Sequence, residues 1–322
     1  MDFIKNYISV LALILIAVYA LSLLARWHWF FALLSNFIVQ YFAGAIILLP
    51  FLILLNQDIL LSVFMIVIAI GSYAQIRAPM SNPLAFTAPI NDNAGNKIKI
   101  AQYNKYYKNH SYKQIGQWAK NNKIDLVIIQ EVHGKYLKML DDELLKIFPY
   151  ALPKDSERPN YVVIYSKHPI ENLTIKSICS NICETKGLRF TISPFNKDKI
   201  TVYSVHTEAP IGAQGYKENF AELNGMAQWI ASDNLPNTIF MGDWNSTPYS
   251  PAFKNILKIS KLNYQNYDIF PETTWPSFAI LPFLKIPIDH ILFSDDLTLN
   301  SINRDKATGS DHHSLIATFT LE

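Results

Sequence analysis

The first quarter of the chain is almost free of charge, whereas in the rest short apolar stretches alternate with polar turns. Three uncharged apolar runs, at 7–25, 30–55 and 59–76, each approach the roughly 20 residues a helix needs to cross a bilayer. They predict a membrane anchor over residues 1–76 with three transmembrane helices. Arg26-Trp27-His28-Trp29 lies between the first two, aromatics beside a charge as expected at a headgroup boundary, so His28 reads as an interface residue. The second run contains Ser35, Asn36, Gln40, Gly44 and Pro50, which predict a kink or close packing against its neighbours. A cleaved signal peptide accounts for neither later run, and the first is longer than an apolar signal core.

Residues 77–96, rich in Pro, Asn and Ala, follow neither helical nor strand periodicity and read as a linker. The pattern then predicts strands at 98–103, 126–129, 161–166, 188–192, 200–206, 238–241, 290–294 and 315–321. It predicts helices at 111–121, 135–147 and 216–232. Many strands with a few interspersed helices indicate an α/β or α+β sandwich over 97–322, long enough to bury a sizeable core.

Composition adds two constraints. Charged residues make up 17 % of the chain, below the soluble average of about 25 %. Asp2, Lys5, Arg26 and Asp58 are the only charges before Arg77. Setting them aside leaves 26 basic and 24 acidic residues, too balanced for a global nucleic-acid footprint. The two cysteines, Cys179 and Cys183, are too few for a structural zinc site. A local disulfide suits an oxidising compartment, while two free thiols in a cytosolic loop remain the alternative. Lys5 favours a cytoplasmic N-terminus and Arg26 and Arg77 the reverse. The expectation is a multi-pass inner (plasma) membrane protein with an extracytoplasmic, periplasmic domain.

Polar residues gather where apolar strands end: Asn104, Glu131, His206, Gly242-Asp243-Trp244-Asn245, Asp289-His290 and Ser310-Asp311-His312. Singly, each fits a turn or a cap. The i, i+2 spacing of Asp243 and Asn245 puts both on one side of extended backbone. Carboxylates, amides and histidines together are what oxygen-liganded cations and phosphate chemistry require.

In sequence these motifs run Q-Y-N (102–104), Q-E-V (130–132), V-H-T (205–207), G-D-W-N (242–245), I-D-H (288–290) and S-D-H (310–312). In that order the chain resembles the endonuclease/exonuclease/phosphatase superfamily, which includes deoxyribonuclease I, inositol polyphosphate 5-phosphatases and neutral sphingomyelinases. Tyr165-Ser166-Lys167 is similar to a family strand ending, and Thr274-Trp275-Pro276 to a bacterial membrane-anchored branch. The resemblance implies a four-layer α-β-β-α sandwich with its site at one rim. It implies a magnesium ion, or manganese, held by Glu131 with Asn104 and Asp311. Asp243 would orient or deprotonate water, and Asn245 would hold the phosphate or that water. His312, polarised by Asp289, would stabilise phosphoryl charge or protonate the leaving group, and His206 would bind the phosphate from the other side. Strand alternation turns His290 away, a structural residue. Lys105-Tyr106 lacks the acid that abasic-site endonucleases place two residues after Asn104. The leading expectation is hydrolysis of a phosphoester, a phospholipid headgroup or a small phosphorylated metabolite, with the bilayer as partner through residues 7–76. An extracytoplasmic nuclease is less favoured, and a non-catalytic binding module is opposed by the intact signature.

Overall fold

The computed structural model describes residues 2–55, 58–80, 96–152, 162–195, 198–265, 270–278, 282–306 and 308–321. Its N-terminal part contains α1 (Asp2–Ser22), α2 (Trp29–Ser35), α3 (Ile38–Leu54) and α4 (Ile59–Arg77). Helices α1 and α4 are each long and apolar enough to cross a membrane, and α2 with α3 makes a third span only if that pair, bent by 60°, counts as one. The second run is therefore bent, one of the two outcomes that its polar residues predict. It breaks at Asn36, whose backbone N–H turns back to the carbonyls of Leu33 and Leu34. His28 caps α2, its Nδ1 accepting from Phe30 N. Pro50 lies inside α3 without ending it.

Ala12, Ile38, Ala45, Leu52, Met65 and Ile68 pack these helices together, and Tyr249 from the far end of the chain joins the cluster. Their outer faces leave Leu13, Ile47, Ile53, Ile66 and Ile70 exposed, where a water-facing bundle would be polar. The expected linker falls mostly outside the described residues. Helix α4 reaches Arg77, and strand pairing begins at Asn96.

Twelve strands form two six-stranded sheets. The first sheet holds β1 (Asn96–Asn104), β2 (Leu126–Gln130), β3 (Tyr150–Leu152), β4 (Val163–Ser166), β11 (Leu297–Arg304) and β12 (Leu315–Leu321), in the order β11-β12-β1-β2-β4-β3. The second sheet holds β5 (Ile170–Ser177), β6 (Lys186–Phe195), β7 (Asp198–Ser204), β8 (Thr238–Asp243), β9 (Asn263–Tyr264) and β10 (Asp289–Phe293), in the order β5-β6-β7-β8-β10-β9. Each centre is one parallel pair, β1–β2 through α5 (Tyr112–Asn121) and β7–β8 through α7 (Gly212–Asp233), with antiparallel neighbours. Helices α6 (Gly134–Leu144) and α8 (Pro251–Ser260) complete the outer layers.

Alternation explains the unbroken apolar run of β2. Leu126 and Ile128 enter the core between the sheets, while Val127 and Ile129 face the core beneath α5 and α6. Helix α5 buries Tyr112, Ile115, Trp118 and Ala119 on one face, as the spacing predicts. The predicted strand at 161–166 begins at Val163 in the structure, and Tyr161 lies outside the described residues.

Candidate active site

The carboxyl ends of the parallel strands and the starts of the antiparallel ones meet at one rim, where sheets of this kind present ligands. Asn104 ends β1 and Glu131 follows β2. Asp243 ends β8 and pairs across the ladder with Asp289, the first residue of β10. His206 lies just past β7, and Asp311 and His312 just before β12. Glu131 (φ 60°) and Asn245 (φ 48°) both sit in left-handed backbone, a strained conformation for residues with side chains. At Gly242 a Cβ would collide with the Val205 carbonyl oxygen, so the strand position ahead of Asp243 needs glycine.

Hydrogen bonds and close carboxylate–imidazole contacts join these residues. Asn104 Nδ2 donates to Glu131 Oε1 (2.8 Å) and to Asp243 Oδ2 (2.9 Å). Tyr107 N donates to Glu131 Oε2 (2.7 Å) and Asn245 N to Asp243 Oδ1 (3.0 Å). His312 Nδ1 meets Asp289 Oδ2 at 2.9 Å, and Asp243 Oδ2 stands 3.7 Å from His312 Nε2 and 3.6 Å from His206 Nε2. Seven of the eight anticipated residues are joined in this way. Asp311 stands apart, reached by Trp275 Nε1 at 3.4 Å, while its Oδ1 is buried without a partner among the described residues.

The electrostatics follow from this arrangement. Burial alone would lower the His312 pKa, but the charges of Asp289 and Asp243 outweigh it and hold the imidazole up at about 10, protonated at neutral pH. Burial raises the Asp311 carboxyl; the His312 charge opposes that shift, and the nearby Glu131 carboxylate adds to it. His290, one residue from Asp289, points the other way. Its Nε2 meets the Ser246 carbonyl at 2.7 Å, and burial pushes it down to about 4, a neutral ring.

Several supporting residues have no role in the sequence reading. Gln102 Nε2 donates to Asp289 Oδ1 (2.8 Å), and Thr274 Oγ1 accepts from Asp289 N (3.2 Å). Ser310 Oγ donates to Asn104 O (2.6 Å) and accepts from His312 N (2.9 Å). Asn219 Nδ2 binds Thr207 Oγ1, Glu208 O and Trp244 O, bracing the His206 and Asn245 loops. Where the acid after Asn104 is missing, Lys105 turns inward. Its Nζ donates to the Tyr106 and Asn109 carbonyls, and burial lowers its pKa to about 8 against the pull of Glu131. Gln102 and Ser310 stand inside quoted motifs, whereas Asn219 has no local signal. Cys179 and Cys183 are bonded to each other in the turn between β5 and β6.

Among the described residues one cluster has the spacing to hold a divalent cation. Asp243, Asp289 and His312 bring ligand atoms within 4.8 Å of one another. Glu131, Asn104 and Asp311 offer oxygen donors alone, including the orphaned Asp311 Oδ1.

Residues 95–312 match the model of the Endonuclease/Exonuclease/phosphatase family. No curated protein matches the chain. Similar solved structures include a functionally unknown conserved protein from Enterococcus faecalis V583, with TM-score 0.55 and 18 % identity, over 70 % of this chain and 100 % of that one. Beta toxin from Staphylococcus aureus, in a mutant with bound magnesium ions, gives TM-score 0.52 and 19 % identity, over 69 % and 99 %. Sphingomyelinase C from Streptomyces griseocarneus gives 0.51 and 15 %, over 69 % and 99 %. At these identities the likeness is one of fold.

Proposed function

The chain belongs to the endonuclease/exonuclease/phosphatase family, and from that premise we propose that it is a membrane-anchored, magnesium-dependent phosphoester hydrolase. Its substrates are phospholipid headgroups or small phosphorylated metabolites, and its catalytic domain lies on the extracytoplasmic side. The observation that carries the reading is the buried line Asp289–His312–Asp243, touching Asn104 and Glu131. Oxygen atoms that would hold a cation, a base and a charged donor stand close together, as displacement at phosphorus requires.

Glu131, Asn104 and Asp311 would hold the cation, magnesium first and manganese second by their hard oxygen donors. Bound there, it supplies Lewis-acid stabilisation of charge on the phosphoryl oxygens. The Asp243–Asp289–His312 group serves proton chemistry instead, because Asp289 Oδ2 and His312 Nδ1 already spend their facing atoms on each other. Asp243 orients and deprotonates the attacking water. Asn245, fixed by its Nδ2 bond to Thr207 O (2.9 Å), holds the phosphate. His312, kept charged by Asp289, faces the phosphoryl oxygens or gives its proton to the leaving group. His206 grips the phosphate from the opposite side.

The anchor reading is supported by the exposed apolar faces of α1, α3 and α4, and the export reading by the cysteine pair. An alkaline phosphatase fusion after Asn91 should be active; an inactive fusion reverses the orientation. Magnesium should raise the Tm of the full chain and leave Glu131→Gln unmoved. Equal shifts in both would remove Glu131 from the cation site.

A further inference from the structure

Asn36 and Gln40 are polar residues in an otherwise apolar run, and nothing in the hydrolytic reading uses them. Polar groups at membrane depth are expensive and mark function more often than chance. Both reach out of the anchor to the catalytic rim. Asn36, only 6 % exposed, sits at the break between α2 and α3. Its Oδ1 accepts from Thr247 Oγ1 (2.8 Å) and Thr247 N (3.3 Å). Thr247 is two residues beyond Asn245. The intervening Ser246 is gripped on its other sides by His290 at its carbonyl and by Asn219 at its hydroxyl (2.8 Å).

Gln40 lies one turn further along α3, and its Nε2 donates to the Lys285 carbonyl (3.0 Å). Lys285 precedes Ile286, which bridges to Trp275 through Ile286 N to Trp275 O (2.7 Å) and Trp275 N to Ile286 O (3.0 Å). Trp275 is the residue that reaches Asp311, and Thr274 beside it accepts from Asp289 N. The two bonds thus end on the two loops that flank Asp243 and Asp289, from one face of one bent helix pair.

We propose that Asn36 and Gln40 are positioning residues of the catalytic rim, clasping the Asn245–Thr247 and Lys285–Ile286 loops, so that the anchor is a working part of the site as well as a tether. The inference rests on the hydrolase reading. Misplacing a catalytic group by about 1 Å costs up to about a hundredfold in rate. A loosened clasp therefore acts on turnover more than on substrate binding.

The test uses the full chain in detergent with magnesium, on bis-p-nitrophenyl phosphate or the best substrate of a diester panel. Asn36→Leu and Thr247→Val should each lower kcat about tenfold or more with KM within about twofold. The double variant should lose little beyond either single one, because both remove the same bond. Thr247→Ser, which keeps the hydroxyl, should restore turnover. Gln40→Leu should lower kcat as well. Folded Asn36→Leu and Thr247→Val with wild-type kcat overturn the clasp, as do losses that multiply in the double variant or a Thr247→Ser no better than Thr247→Val. If Asn36→Leu does not fold, the Thr247 pair, outside the apolar helices, decides alone. A wild type inactive on every substrate sinks the hydrolase reading, a result distinct from active variants.

Discussion

His312 and His290 lie on either side of the same aspartate and belong to two different regions. At the rim, His312 is surrounded by carboxylates, which raise its pKa to about 10. In the core behind Trp244, His290 stands between Trp244, Phe253 and Tyr264, ring centroids 5.0, 4.7 and 5.8 Å away, and burial lowers it to about 4. Backbone alternation at β10 makes the choice, Asp289 outward and His290 inward. One strand therefore feeds charge chemistry on one face and packing on the other. The rim spends stability on holding like and unlike charges close; the core tolerates a histidine only as a neutral, hydrogen-bonded ring.

Substitutions should separate the two regions, and the largest effects belong to the rim. Asp243→Asn should cost about a thousandfold in kcat, since it removes the base. His312→Ala should cost about a hundredfold or more, as loss of a charge-stabilising donor does; a near-normal rate would take it out of the mechanism. Asp289→Asn should cost less, roughly tenfold, and move the alkaline limb of the rate profile to lower pH, because His312 loses the charge that raises it. An unmoved limb would mean that another group titrates there. His290→Phe should cost the rate per folded molecule less than any of these, because it touches no reacting group. The buried Ser246 carbonyl then loses its partner, at about 1–3 kcal/mol, seen as a drop of several degrees in Tm.

Stability against pH sharpens the contrast further. His312, with its folded pKa raised from 6.5, contributes stability that is full below pH 6.5 and lost as pH rises towards about 10. His290, with its folded pKa lowered from 6.5, contributes stability present above pH 6.5 and lost as pH falls through about 4. His290→Phe should flatten the acid arm of a Tm–pH curve and His312→Gln the alkaline arm. The same arm flattened by both would erase the distinction.

Much of this was legible in the sequence, and for identifiable reasons. Asn104, Glu131, His206, Asp243 and Asp289 follow or open central strands whose apolar runs are strong signals, so the rim could be read from where those runs stop. The edge strands β5 and β11 were missed because their faces are largely polar and half exposed, and β3 and β9 because three and two residues carry no period. Helix α8, for which no element was expected, is marked by its Ser250 cap, Pro251 and the spacing of Ala252, Phe253 and Ile256. A kink in the second apolar run was legible from its polar residues, but not its place at Asn36. Asn36 there binds Thr247, 211 residues away. Asn219 was invisible because its acceptors, on Thr207, Glu208 and Trp244, lie in two loops distant in sequence from each other.

The central claim is phosphoester hydrolysis by this rim. Its most direct test is turnover by the full chain in detergent with magnesium, against a panel of phosphodiesters, monoesters, phospholipids and nucleic acids. The account predicts chelator-sensitive hydrolysis of a diester or lipid substrate, lost in Asp243→Asn, and weaker action on DNA. Absence of turnover across the panel with any divalent metal would contradict it, and salt-sensitive cleavage of DNA alone would replace it with a nuclease.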